Sequence, residues 1–208
     1  MSMAPSFWLD QLGSRPRRPA LSGEREADVC IVGGGFTGLW TAYELKRADP
    51  SLVVMVLEAQ HVGFGASGRN GGWVLGKLSG SDDAWRRRGG PDAARTMVRA
   101  IQQTVEEVGT VVARENIECD WHHGGTLTVA QSDIQLRRLR AQAAAERQTL
   151  GEDLTWRVLD ADELAARLQV TDGRGALYTP HCARVQPARL VDGLAAAAER
   201  AGVIIYES

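Results

Sequence analysis

The residues of this chain whose types and spacing point to chemistry are three glycines and one acid. Gly33, Gly35 and Gly38 stand in the spacing G-x-G-x-x-G, and Glu58 follows the last of them by 20 positions. Each glycine has its own use. Gly33 lets the chain turn tightly, Gly35 leaves room for a pyrophosphate to approach the backbone, and Gly38 lets a helix lie close to a sheet. The N–H groups of the first helical turn, from Phe36 through Thr37 and Gly38 to Leu39, together with the positive end of the helix dipole, then face the phosphates. The carboxylate of Glu58 is placed to accept bonds from ribose hydroxyls. Chemistry of this kind is the holding of a dinucleotide. A lone G-x-G-x-x-G also occurs in ordinary turns, so the flanking elements decide the matter.

Those elements are present. Val29 to Val32 is a β-branched apolar run of the length of a buried strand. A helix is predicted from the glycines to about Ala48, where Asp49-Pro50 stops it, because the residue before a proline is pushed out of the α region. Its apolar face is Leu39, Ala42, Tyr43 and Leu45. Val53 to Leu57 reads as a second strand ending on Glu58, which completes a βαβ unit. Behind it the chain is glycine-rich from Gly63 to Gly80. Such a stretch costs conformational entropy to order, and Arg69-Asn70 between glycines, followed by Trp73, predict ordering around a ligand rather than a flexible linker.

The middle of the chain carries ordinary signals. An amphipathic helix is predicted from Pro91 to about Ala113, preceded by a solvated Arg86-Arg87-Arg88 run. A strand at Thr126 to Ala130 follows, then a helix from Ser132 to about Leu150 that opens with a capping-box pattern, Ser132 with Gln135. A short helix from Asp160 to Leu168 and a brief strand at Ala176 to Tyr178 come next. Pro187 then opens a helix with Leu190, Val191, Leu194 and Ala198 on one face, closed by Gly202. Val203 to Tyr206 predicts another buried parallel strand. Residues 1–26, with Pro5, Pro16 and Pro19, read as an extended arm with a short turn around Phe7 to Leu12.

Composition narrows the class. A net charge of −2 argues against nucleic acid or an anionic membrane as the main partner. No apolar run approaches the ~18 residues needed to span a bilayer, and the N-terminus lacks the apolar stretch of a signal peptide. Cys30, Cys119 and Cys182 show no C-x-x-C or zinc spacing and read as buried or reduced thiols, which suits the cytoplasm. His122-His123 has no partner at metal spacing and reads as loop, so no metal site is expected.

Three stretches together resemble a known family: DVCIVGGGFTGLWTAYEL with VVMVLE, then GFGASGRNGG, then VQPARLVDGLAAAAERAGVIIYE. They are similar to the N-terminal half of FAD-dependent oxidoreductases of the D-amino-acid oxidase (DAO) type, nearest the gamma-glutamylputrescine oxidase-like branch, where an arm like SFWLDQL accompanies ASGRNGG. The resemblance implies an α/β fold, a Rossmann-like FAD-binding βαβ domain with an inserted α+β substrate domain. Residues 27–80 and 181–208 would form the FAD-binding part, and 81–180 the inserted part. It implies FAD as cofactor, with Gly33, Gly35, Phe36, Thr37 and Gly38 at the pyrophosphate and Glu58 at the adenosine ribose. Ser67, Arg69, Asn70, Gly71 and Gly72 would meet the pyrophosphate-to-flavin part, and Ala42 fits the small residue that follows the third glycine by four. Family members continue past the last strand, so a truncated chain is expected. The implied reaction is oxidation of a C–N bond in a small-molecule amine or amino acid, with O2 as acceptor. Trp73 and Lys77 would border the substrate, and His61 stands near enough in sequence to approach the flavin, although a surface histidine at a strand end is the simpler reading. No catalytic acid or base stands out. Two alternatives stay open: an NAD(P)-dependent dehydrogenase, and an inactive FAD-binding fragment.

Overall fold

The computed structural model describes residues 6–13, 15, 17–77 and 82–208, apart from the side chains of 82, 83 and 91. Pro5, Pro16 and the end of the glycine-rich stretch at Gly80 lie outside the described residues. The chain divides into two compact units. One comprises residues 1–73, 110–121 and 185–208, the other residues 74–109 and 122–184. Residues 110–121, inside the stretch expected for the insert, therefore group with the first unit.

The first unit is built on a parallel three-stranded sheet. Val54–Glu58 is the middle strand, flanked by Val29–Val32 and by Ile204–Glu207. Val29 pairs with Val54 on one side, and Met55 with Ile204 on the other. The two connecting helices, Phe36–Ala48 and Pro187–Arg200, begin and end close to where the sequence puts them. Pro187 stands in the first turn of the second helix, whose N-cap is the Gln186 side chain, accepting from the Arg189 N–H at 2.8 Å. Leu39, Ala42 and Tyr43 of the first helix and Val191, Leu194 and Ala198 of the second pack with Val54, Val56 and Ile205 into one core.

One expectation fails here. The strands read as buried on both faces, yet burial alternates along Val29–Val32, and Val32 is 86% exposed. The helices cover the face carrying Ile31, Val56 and Ile205. A strand sends successive side chains to opposite faces, so Cys30 and Val32 point away from that core. Cys30 is therefore an exposed free thiol. Cys119 and Cys182 are buried, and burial pushes the Cys119 thiol up to about 11 and the Cys182 thiol up as well. Iodoacetamide is thus expected to modify Cys30 alone in the native protein, since only the thiolate reacts. Peptide mass spectrometry checks this, and native labelling of Cys119 at a comparable rate would contradict it.

The second unit is antiparallel. Gly175–Thr179 is the middle strand of one sheet, between Thr126–Ala130 and Arg157–Leu159. A smaller sheet aligns Trp73–Leu75, Cys182–Arg184 and His122–His123. His122-His123 is thus a short strand, not a loop. The helix expected from Pro91 follows a non-helical break at Gly89 and Gly90, the latter at φ 76°, and runs to Arg114, with a further helical stretch from Asp82 ahead of the break. Arg86, Arg87 and Arg88 are exposed, as expected for a solvated face. The helix Asp133–Leu150 is capped by Ser132, which accepts from Gln135 N–H. Gln135 returns its own bond to Gln131 rather than to Ser132, so the box is not reciprocal. Asp160 and Glu163 do form a complete capping box at the head of Ala161–Ala165. No helix among the described residues is long and apolar enough to cross a membrane.

Candidate functional site

The corner where Val29–Val32 turns into Phe36–Ala48 is built by its glycines. Gly33 holds φ 106°, a region that favours glycine, and a side chain there would meet no atom within 4 Å. Its N–H donates to Leu57 O at 2.8 Å, which ties the corner to the middle strand. A Cβ on Gly38 would overlap the Gly33 carbonyl oxygen and press on Ile31, so this position fixes how closely helix and strand approach. Gly35 is the N-cap and offers no side chain to the helix end. Thr37 and Gly38, in the first turn, have N–H groups with no intrahelical carbonyl in reach. An open space over Gly33, bare first-turn donors and a positive helix end suit a pyrophosphate.

Glu58 reaches this corner from the end of the middle strand. One carboxylate oxygen accepts the Gly34 N–H at 2.8 Å, and the other accepts the Gln60 N–H at 2.9 Å. Two backbone bonds fix the carboxylate while leaving lone pairs for hydroxyl donors. An acid fixed this way beside such a corner suits the hydroxyls of a ribose.

The glycine-rich loop folds back onto the same corner. Gly63 N–H donates to Gly34 O at 3.0 Å, and Ala66–Gly68 forms a 3-10 turn that presents Ser67 to the helix end. The Ser67 hydroxyl accepts the Phe36 N–H at 2.9 Å, and a Cβ on Gly35 would lie 3.0 Å from that oxygen. Gly33, Gly35, Phe36, Gly38, Glu58 and Ser67 are thereby brought together. The others shape the loop itself. The Asn70 side chain donates to Ser67 O at 2.9 Å and accepts from Gly72 N–H at 2.8 Å. Arg69 donates to Phe64 O at 2.7 Å with its guanidinium over the Phe64 ring. Gly72 lies against the Val185 carbonyl at φ 72°. Gly71 is exposed, and a side chain there would touch nothing within 4 Å.

The remaining candidates divide. His61 meets Arg15, with Nδ1 2.9 Å from the guanidinium that also pairs with Asp192 at 2.9 Å. Trp73 is exposed, and Lys77 lies over the Trp156 ring. Among the described residues no cluster of three metal-ligating side chains exists.

The arm carries the short turn expected around Phe7 to Leu12, but its bonds to the loop were not foreseen. Phe7–Asp10 forms one helical turn capped by Ser6. Ser6 also donates to Gly68 O at 3.1 Å, and the Trp8 indole N–H donates to Asn70 O at 2.8 Å. Gln186 donates to Trp8 O at 2.9 Å. The sequence signals were the turn expected around Phe7 to Leu12 and the resemblance that sets SFWLDQL beside ASGRNGG.

Comparison with known proteins agrees with this geometry. Residues 28–208 match the family model described as DAO, FAD dependent oxidoreductase. The gamma-glutamylputrescine oxidoreductase of Escherichia coli (strain K12) is 37% identical over 182 residues, covering 86% of this chain and 41% of that protein. The structure of L-amino acid deaminase from Proteus vulgaris superimposes with a TM-score of 0.69 at 20% identity, over 92% of this chain and 42% of that one. Glycine oxidase from Geobacillus kaustophilus gives 0.61 at 26% identity, over 87% of this chain and 46% of that one. The chain spans less than half the length of the curated relatives it matches. The match over residues 28–208, most of the chain, shows that it belongs to the DAO family of FAD-dependent oxidoreductases.

Proposed function

We propose that the first unit holds FAD, the second is part of an inserted substrate domain, and the protein oxidises a C–N bond in a small amine or amino acid. The observation that carries the site assignment is the Ser67 hydroxyl at 2.9 Å from the Phe36 N–H. It puts the loop that follows Glu58 against the pyrophosphate end of the dinucleotide helix, where a cofactor extending beyond the adenosine must pass. Gly33, Gly35, Phe36, Thr37 and Gly38 take the pyrophosphate in this reading, and Glu58 the ribose. Ser67 lies at the pyrophosphate-to-flavin part, while Arg69, Asn70, Gly71 and Gly72 keep the loop in place around it. The amine or amino-acid substrate class rests on the activities for which the relatives are named.

FAD held by these residues would supply the redox chemistry for oxidising the C–N bond, with O2 as the final acceptor. This chain's residues bind and orient. The fixed Glu58 carboxylate holds the ribose, the helix donors neutralise the phosphates, and the Ser67 turn closes the loop over them. Three free thiols and the absence of a spanning helix among the described residues are in keeping with a cytoplasmic protein.

The test starts with pure protein and added cofactor. Visible absorption bands of bound flavin support the reading, whereas NADH binding without them would replace it by the dehydrogenase alternative. Glu58→Gln should then weaken FAD roughly tenfold by removing the charge from its ribose bonds. Unchanged affinity removes Glu58 from the site. Peroxide release with simple amines and amino acids tests the substrate class.

A further inference from the structure

We propose that the N-terminal arm is a positioning element for the cofactor loop, with Trp8 as its pin; this rests on reading that loop as part of the FAD site. The contacts run in an unbroken series. Ser6 and Trp8 bond the carbonyls of Gly68 and Asn70, the two residues that bracket Arg69, at 3.1 and 2.8 Å. Leu9 lies beside Gly68, and the Trp8 ring lies beside Gly72. Asn70 in turn bonds Ser67 O and the Gly72 N–H. Ser67 then meets the Phe36 N–H at the head of the dinucleotide helix. A displacement of the arm therefore passes to Ser67 through two hydrogen bonds.

The arm has its own foundation. Gln186 is buried and serves both sides at once. Its amide N–H donates to Trp8 O at 2.9 Å, while its oxygen caps the helix Pro187–Arg200 at 2.8 Å. Its backbone N–H is held by Cys119 O at 2.8 Å. Trp8 thus stands between a rigid helix start and the loop it pins. A glycine-rich loop has little side-chain packing to define its path, so bonds to its carbonyls from outside decide where Ser67 sits. Phe7, exposed and set edge-on to Trp8, adds an aromatic contact that stiffens the arm.

Trp8→Phe keeps an aromatic ring and removes the indole N–H, so it separates pinning from packing. FAD affinity is read by quenching of flavin fluorescence on the full-length protein, in wild type, Trp8→Phe, Ser67→Ala and the double variant. The expected result is a roughly two- to tenfold rise in Kd for Trp8→Phe, the worth of one neutral hydrogen bond. In the Ser67→Ala background the same change is expected to have little further effect, because both substitutions act through one contact series. A Trp8→Phe Kd within twofold of wild type overturns the proposal. So does an equal fold-change in both backgrounds, which would place the arm's influence outside the loop. Failure of the wild type to bind FAD at all refutes the site reading instead, so the two failures are told apart.

Discussion

Gly38→Ala is expected to destabilise the first unit by about 2 kcal/mol and to weaken FAD on the order of a hundredfold. Propensity alone points the other way, since alanine is favoured over glycine inside a helix by about 1 kcal/mol. Packing decides the sign. A Cβ at Gly38 overlaps the Gly33 carbonyl oxygen and comes within 3.1 Å of the Ile31 side chain. The first of these is backbone, and it cannot swing aside as a flexible side chain does. Helix and strand must therefore separate, at an overpacking cost of about 3 kcal/mol, the upper end of the usual range. The separation also re-aims the first-turn donors. Losing two hydrogen bonds to a charged phosphate, at about 1.5 kcal/mol each, is a factor of roughly a hundred in Kd. Gly71→Ala is the control: that glycine is exposed, has no positive φ and has nothing nearby, so stability should stay unchanged. Urea unfolding and FAD titration of both variants check the pair. A Gly38→Ala protein as stable as wild type, with FAD affinity intact, would show that this glycine does not set the helix–strand distance.

The same contrast explains what was legible in the sequence. Gly38 and Gly71 are both glycines in glycine-rich surroundings, but only Gly38 sits at a fixed offset from a strand and a helix, and that offset is local information. The whole of Val29 to Glu58 was readable for this reason: apolar run, turn, amphipathic face and proline stop all act over a few residues. The return strand was readable to within a residue, because Pro187 and Gly202 punctuate its helix and Ile204, Ile205 and Tyr206 form an apolar run. What failed depended on partners remote in the chain. Trp73–Leu75, His122–His123 and Cys182–Arg184 are two or three residues long, too short to show a period of two. The Trp8 bond to Asn70 spans 62 positions and uses a backbone carbonyl that every residue possesses. The open face of the first strand was missed because a run of four apolar residues reads as buried on both faces, while the helices in fact cover one. In the candidate site, residue types at fixed spacing picked out Gly33, Gly38 and Glu58. Spacing could not say that Ser67 would fold back onto Phe36, nor that Asn70 would spend its side chain on the loop.

Glu207→Ala is expected to cost about 3 kcal/mol at neutral pH, the larger of the two stability effects, although this carboxylate was given no role in the candidate site. Glu207 is 5% exposed, and its oxygens accept the Val62 N–H at 2.8 Å, the Arg18 N–H at 3.1 Å and the Arg18 guanidinium at 3.1 Å. Truncation strands the buried Val62 N–H and removes the better-shielded partner of Arg18, which keeps only its bonds to the more exposed Glu199. The register also pairs Glu58 with Glu207 across the parallel strands, so truncation relieves some like-charge repulsion. That gain is small: Arg18 neutralises one carboxylate, and backbone N–H groups of Gly34 and Gln60 hold the other. Burial pushes the Glu207 carboxyl up, but the N–H groups of Val62 and Arg18 and the Arg18 charge outweigh it and hold it below the ordinary 4.5. A depressed folded value means that this group stabilises the protein fully above pH 4.5 and that the benefit fades as pH falls through the folded value. Wild type and Glu207→Ala should therefore differ most at neutral pH and converge in acid. Glu199→Ala removes a half-exposed partner and should cost under about 1 kcal/mol. Denaturant unfolding across pH tests all three proteins. A constant gap between wild type and Glu207→Ala from neutral pH into acid would mean that Glu207 acts through packing, not through its charge, and that the tie from the arm through Arg18 to Val62 contributes no electrostatic stability.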